Sequence, residues 1–242
     1  MRMRKKKHGY ERLLKCKELL LEKPESPIGS APEESGMKNA PLWLEIGAGK
    51  GGFAKEMARR NPDVCYIAME KITDCVMLAA ESALASGESG NLRFLIDTAD
   101  NLTDIFLPNS LDALFLNFSD PWSKKGYAKR RLTHRRYLAV YFNLLKDGAK
   151  LRFKTDNVGL FDFTLEEIEA MGLTPSIVTR DLHSSEYDED NVRTEYEQNF
   201  SSQGYKINML EVVKPEGFSP EIPDELKRGR KRYNKGQEAN NG

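Results

Sequence analysis

The chain has 242 residues, enough for one sizeable α/β domain with its own core. It is 39% hydrophobic and 31% charged, a soluble-protein composition with no apolar run long enough to span a bilayer. Its 37 Lys and Arg balance 37 Asp and Glu. Cys16, Cys65 and Cys75 lack disulfide or zinc-site spacing, and His8, His134 and His183 are scattered, so no metal is expected.

Residues 1–22 read as a basic amphipathic helix with Leu13, Leu14, Leu19 and Leu20 on one side. They lack the apolar core of a secretory signal, which makes a cytoplasmic location the expectation. Residues 23–40, rich in Pro, Ser and Gly, read as a linker, so that 1–40 form a basic arm and linker. A regular alternation follows. Strands are expected over 41–47, 63–70, 91–97, 111–118, 149–156, 174–180 and 205–214, and helices over 52–60, 73–86, 133–148 and 159–172. Strands alternating with helices imply βαβ units and a parallel sheet covered on both faces. Periodicity does not fix the direction of the last strand. The catalytic domain is expected over 41–215. Residues 216–242 are polar and basic, without an apolar face, and read as a disordered tail.

The stretch LWLEIGAGKGGF, residues 42–53, is a strand, a glycine-rich turn and the start of a helix. Gly47, Gly49 and Gly51 let the backbone turn tightly and approach a ligand. A ligand-free tight turn is the plain alternative. Gly47, Gly49 and Gly52 also satisfy the dinucleotide pattern G-x-G-x-x-G. Glu45, an acid at the end of the first strand, favours a cationic sulfonium ligand, S-adenosyl-L-methionine, over a pyrophosphate. Glu70, at the end of the second strand, suits ribose hydroxyls of either ligand.

With EIGAGKGGF, NFSDPWSKKGYAKRRL, FKTDN and TEYEQNF in this order, the sequence resembles the bacterial tRNA (guanine-N7)-methyltransferases, the TrmB family, from about Leu42 to Lys214. The resemblance implies a class I methyltransferase fold: a Rossmann-like seven-stranded sheet, its last strand antiparallel, with helices on both faces. It implies methylation of guanosine 46 in the tRNA variable loop. It assigns Glu45, Gly47 and Glu70 to the cofactor, with Gly49 and Asn117 as further cofactor candidates of this reading, and it assigns Asp120 to catalysis. It assigns Lys124, Asp156, Thr194, Glu195, Tyr196 and Glu197 to the tRNA. At the end of the third strand LIDTAD departs from the family's pattern, leaving Asp97 or Thr98, with Ala99, to meet the adenine. DPWSKKGY also departs, with Gly126 and Tyr127 in place of Arg and His.

Guanine N7 carries a lone pair, so no base has to remove a proton before it attacks a methyl group. Asp120 is then expected to orient the purine and stabilise the positive charge that develops on it. Trp122 either stacks on a base or covers the core. Lys124, Lys125, Lys129, Arg130 and Arg131 read as phosphate contacts that do not read sequence. One of Asp156, Glu195 and Glu197 is expected to accept from guanine N1–H and N2–H₂, unless these acids pair with neighbouring cations. A monomer or homodimer acting on tRNA, away from membranes, is the expected assembly. The alternatives are another class I RNA methyltransferase, a silent RNA-binding homologue and, least supported, an NAD-dependent oxidoreductase.

Overall fold

The computed structural model describes residues 8–87 and 90–227. A seven-stranded sheet comprises β1 (Leu42–Ile46), β2 (Cys65–Glu70), β3 (Leu92–Ile96), β4 (Leu111–Asn117), β5 (Leu145–Thr155), β6 (Ile177–Thr179) and β7 (Asn208–Val213), in the order β3-β2-β1-β4-β5-β7-β6. The first five strands are parallel, and β7 runs antiparallel to both β5 and β6. This is the class I methyltransferase sheet that the family resemblance implied.

The helices are α1 (Gly9–Leu14), α2 (Gly52–Arg60), α3 (Thr73–Ser86), α4 (Leu102–Ile105), α5 (Arg135–Leu144), α6 (Val158–Ala170) and α7 (Glu195–Ser201). Two apolar layers sandwich the sheet, as burial on both faces of parallel strands requires. One joins Leu44, Leu114 and Phe153 to Leu138 of α5 and Phe161 of α6; the other joins Tyr66 and Phe115 to Phe53 of α2 and Val76 of α3. Gly51 sits where the second layer is tightest. Its φ is +74°, and a Cβ there would lie 2.8 Å from the Ala79 Cβ and 3.1 Å from the Phe94 ring, so only glycine fits.

Several boundaries differ from expectation. Helix α5 ends at Leu144 and passes directly into β5, which begins at Leu145, where Leu145 pairs with Leu111 of β4. Helix α4, four residues long, is too short to leave a periodic signal. The expected helix over 1–22 is reduced, among the described residues, to α1 and a 3-10 turn at Lys17–Leu19. The chain then runs extended, with Leu21 N–H donating to Phe94 O and Ile28 N–H to Ile105 O. The presumed linker thus lies against the domain, with Ala31 buried.

Of the tail expected to be disordered, residues 216–227 lie packed on the domain. Leu226 is buried, Phe218 packs edge-on against Phe142, and Thr103 donates to Leu226 O. These apolar contacts were hidden in the sequence by the polar residues between them. Residues 1–7 and 228–242, with their basic clusters, lie outside the described residues. Among the described residues no helix is long and apolar enough to cross a membrane.

Candidate active site

The C-terminal ends of the parallel strands open into a cleft of about 950 Å³. Ligands of open α/β sheets gather at this edge, where the loops after the strands converge. Gly47, Glu70, Asp97, Thr98, Ala99, Asn117, Asp120 and Arg130 all line it. With Trp122, Gly126, Tyr127 and Lys129, they are residues singled out in the sequence that the fold brings together from the loops after four different strands.

The glycine turn after β1 is tied to the end of β2. The Gly47 and Ala48 N–H groups donate to Met69 O at 2.8 and 3.0 Å, and Gly49 N–H donates to Glu70 Oε2 at 3.2 Å. The other Glu70 oxygen accepts from Ile72 N–H at 2.9 Å. Each carboxylate oxygen keeps a second lone pair, which leaves Glu70 able to accept hydroxyl donors. A Cβ at Gly47 or Gly49 would meet nothing within 4 Å, so the turn presents bare backbone.

Glu45 does not itself line the cleft. It is 2% exposed beneath the turn, where Asn117 Nδ2 donates to its Oε1 at 3.0 Å and Oε2 has no hydrogen-bond partner. Burial pushes its carboxyl up to about 7, opposed by the Asn117 hydrogen bond and the Lys154 charge. A bare glycine turn in a cleft that is also lined by the acids Glu70 and Asp97 favours a cationic ligand and disfavours a pyrophosphate. The residues fit S-adenosylmethionine.

After β3, Asp97 and Thr98 both line the cleft, but their side chains differ in commitment. Asp97 Oδ1 accepts from Thr98 N–H at 2.7 Å and from Asn101 Nδ2 at 2.5 Å, closing the turn that carries Ala99. Lys23 Nζ stands 3.8 Å from its other oxygen.

The loop after β4 is strained. Phe118 and Trp122 have φ of +51° and +43°, values that bulky side chains avoid and that cost roughly 1–3 kcal/mol each. Between them Asp120 is exposed to the cleft, and Ser119 lines it with its Oγ buried and unpartnered. Arg131 holds this loop, with Nε donating to Pro121 O at 2.9 Å, Nη2 to Trp122 O at 3.2 Å, and its guanidinium 4.3 Å over Phe163. Two of the Arg131 nitrogens are thus engaged by main-chain carbonyls of the loop, while Nη1 remains as a donor for phosphate.

Arg130, by contrast, is exposed at the cleft, its guanidinium 5.0 Å over Trp122 and 4.7 Å over Tyr127. Trp122 belongs to neither apolar layer and stands at the rim. Lys124 and Lys125 are exposed but do not line the cleft.

Asp156, Thr194, Glu195, Tyr196 and Glu197 form a second group, behind Phe118. The Tyr196 ring packs 5.0 Å from Phe118, and its hydroxyl donates to Asp156 Oδ2 at 3.3 Å. Thr194 caps α7, its Oγ1 accepting from Glu197 N–H. Glu195 is exposed over the start of α2.

Glu197, expected to meet the RNA, is fully buried instead. Its Oε2 lies 2.6 Å from Lys154 Nζ, and its Oε1 bonds His183 Nε2 and Asn191 Nδ2, each at 2.8 Å. Burial alone would raise its carboxyl, but the Lys154 charge and these hydrogen bonds hold it below the ordinary range. A carboxylate enclosed in this way has no free face for a nucleobase. Lys154 was missed in the sequence. Its signal was a charged residue inside a central strand, where both faces are normally apolar.

The comparisons agree with this geometry. Residues 39–210 match the model of the family described as "Putative methyltransferase", that of the tRNA guanine-N7 methyltransferase TrmB. The structure is similar to the 16S rRNA methyltransferase KamB, with a TM-score of 0.56 at 16% identity over 72% of this chain and 88% of that one. An antibiotic-related methyltransferase gives 0.55 at 17% identity over 80% and 98% of the two chains. The [4+2]-cyclase SpnF gives 0.52 at 17% identity over 73% and 76%. At such identities these structures speak for the fold, which hosts more than one chemistry.

Proposed function

Since the chain belongs to this methyltransferase family, for which S-adenosylmethionine is the cofactor, we propose that it methylates N7 of guanosine 46 in the variable loop of tRNA. The observation that most supports this reading is the convergence of Gly47 and Glu70 with Asp120 and Arg130 on one cleft. S-adenosylmethionine supplies an electrophilic methyl group carried on a sulfonium. The glycine turn and Glu70 bind it, the turn through bare backbone and Glu70 through its free lone pairs.

Asp120 orients the target purine and stabilises the positive charge that its imidazole ring acquires. No proton has to leave N7, so Asp120 serves as an electrostatic partner rather than a base. Arg130, stacked on Trp122 and Tyr127, meets the phosphate backbone with a guanidinium that is already oriented. Asp156, which follows β5 and accepts from the Tyr196 hydroxyl, is the acid we assign to the guanine edge once Glu197 is set aside.

Incubation of the protein with bulk tRNA and labelled S-adenosylmethionine, followed by nucleoside digestion, tests the reading. It requires 7-methylguanosine as the product; a different methylated nucleoside, or methylation of ribosomal RNA alone, contradicts it.

A further inference from the structure

The segment 182–201 has little regular structure beyond two 3-10 turns and the short helix α7. Its buried apolar side chains are Leu182 and Val192 only. What fastens it is a charge cluster. Lys154 Nζ has three acceptors for its three protons: Glu197 Oε2 at 2.6 Å, Asn191 Oδ1 at 3.0 Å and Val192 O at 2.9 Å. Lys154 is 1% exposed and Glu197 is fully buried. His183, Asn191 and Thr194 N–H complete the shell around the carboxylate.

The same lysine reaches the catalytic loop by its main chain. Phe118 N–H donates to Lys154 O at 2.9 Å, and Asn117, which bonds Glu45, is its register partner on β4. Phe118 is the residue at φ +51°, and its ring lines the cleft while its other neighbour is Tyr196 of α7. One residue therefore ties down the strained loop that carries Asp120 and, through Glu197, the helix packed behind it.

We propose that Lys154 is a positioning residue, and that its buried bridge to Glu197 sets α7 and the Phe118–Trp122 loop in the arrangement that receives the target base. Neither side chain touches the substrate. The inference rests on the reading of the cleft as a tRNA methyltransferase site and assigns Glu197 a role through Lys154 rather than through guanine.

A mutant cycle of Lys154→Met, Glu197→Gln and the double variant tests it. Each single change lowers kcat/KM for tRNA by about 10- to 100-fold, as misplacement of a reacting group does. Affinity for S-adenosylhomocysteine stays within about three-fold in Glu197→Gln, which leaves the Lys154 charge near Glu45 in place. The double variant is no worse than the poorer single one. Losses that multiply in the double variant, or unchanged kcat/KM, overturn the proposal, the former because Glu197 then meets substrate on its own account.

Should the single variants fail to fold, the double variant, which leaves no buried charge unpaired, carries the test through hydrogen exchange. Faster exchange over 182–201 with the sheet still protected is expected, and unchanged exchange refutes the bridge. Wild-type protein that binds S-adenosylhomocysteine but methylates no tRNA would defeat the functional reading alone, and the exchange measurement would still decide the bridge.

Discussion

Asn117 Nδ2 lies 3.0 Å from one oxygen of Glu45, a carboxyl buried between the ends of two central strands. The pair joins the ends of β1 and β4 under the glycine turn, so the floor of the cleft rests on a group that burial has made reluctant to ionise.

Stability should follow from that reluctance. The Glu45 carboxyl is raised from 4.5 to about 7, so the folded protein holds this proton more tightly than the unfolded chain. The resulting stabilisation is complete below about pH 4.5 and is lost as pH rises through about 7, a span worth roughly 3 kcal/mol. Thermal melts of the ligand-free protein from about pH 5 to 8 should show wild type losing roughly 5–10 °C relative to Glu45→Gln. Parallel curves for the two proteins would contradict this.

The glycine turn should respond unequally to added methyl groups. Gly51→Ala meets both a φ of +74° and a Cβ 2.8 Å from Ala79, whereas Gly49→Ala meets the backbone penalty alone, at φ +56°. Denaturant unfolding should show a loss of about 1–2 kcal/mol for Gly49→Ala. Overpacking should add about 1–3 kcal/mol for Gly51→Ala. Equal losses would mean that α3 and β3 yield to the extra carbon.

Arg130 and Arg131 are adjacent in sequence and opposite in situation. Arg130→Ala should weaken tRNA binding and reduce the salt slope of log K by about 1, one phosphate contact removed. Arg131→Ala should leave the slope unchanged while lowering turnover, because it releases the carbonyls of Pro121 and Trp122. Filter binding at several salt concentrations, beside steady-state rates, separates the two.

These contrasts mark what the sequence carried and what it did not. Strand and helix alternation, the glycine turn and the Asp-Pro-Trp loop are local signals, and they located β1 to β5 and most of the cleft. Glu197 was misread because its partner, Lys154, is 43 residues distant and only the antiparallel return of the chain brings them together. The loop contacts of Arg131 were hidden for a related reason: a basic run does not say which of its members also holds the main chain. The residues around Leu226 looked disordered because their apolar contacts are single side chains without a period.

The central claim is that Asp120 acts on a purine held beside the cofactor turn, and single-turnover methyl transfer to tRNA by wild type and Asp120→Ala tests it most directly. With S-adenosylhomocysteine affinity matched between the two proteins, the variant should form 7-methylguanosine about 100- to 1,000-fold more slowly, the loss expected when a preorganised electrostatic partner is removed. Formation at the wild-type rate would contradict the assignment.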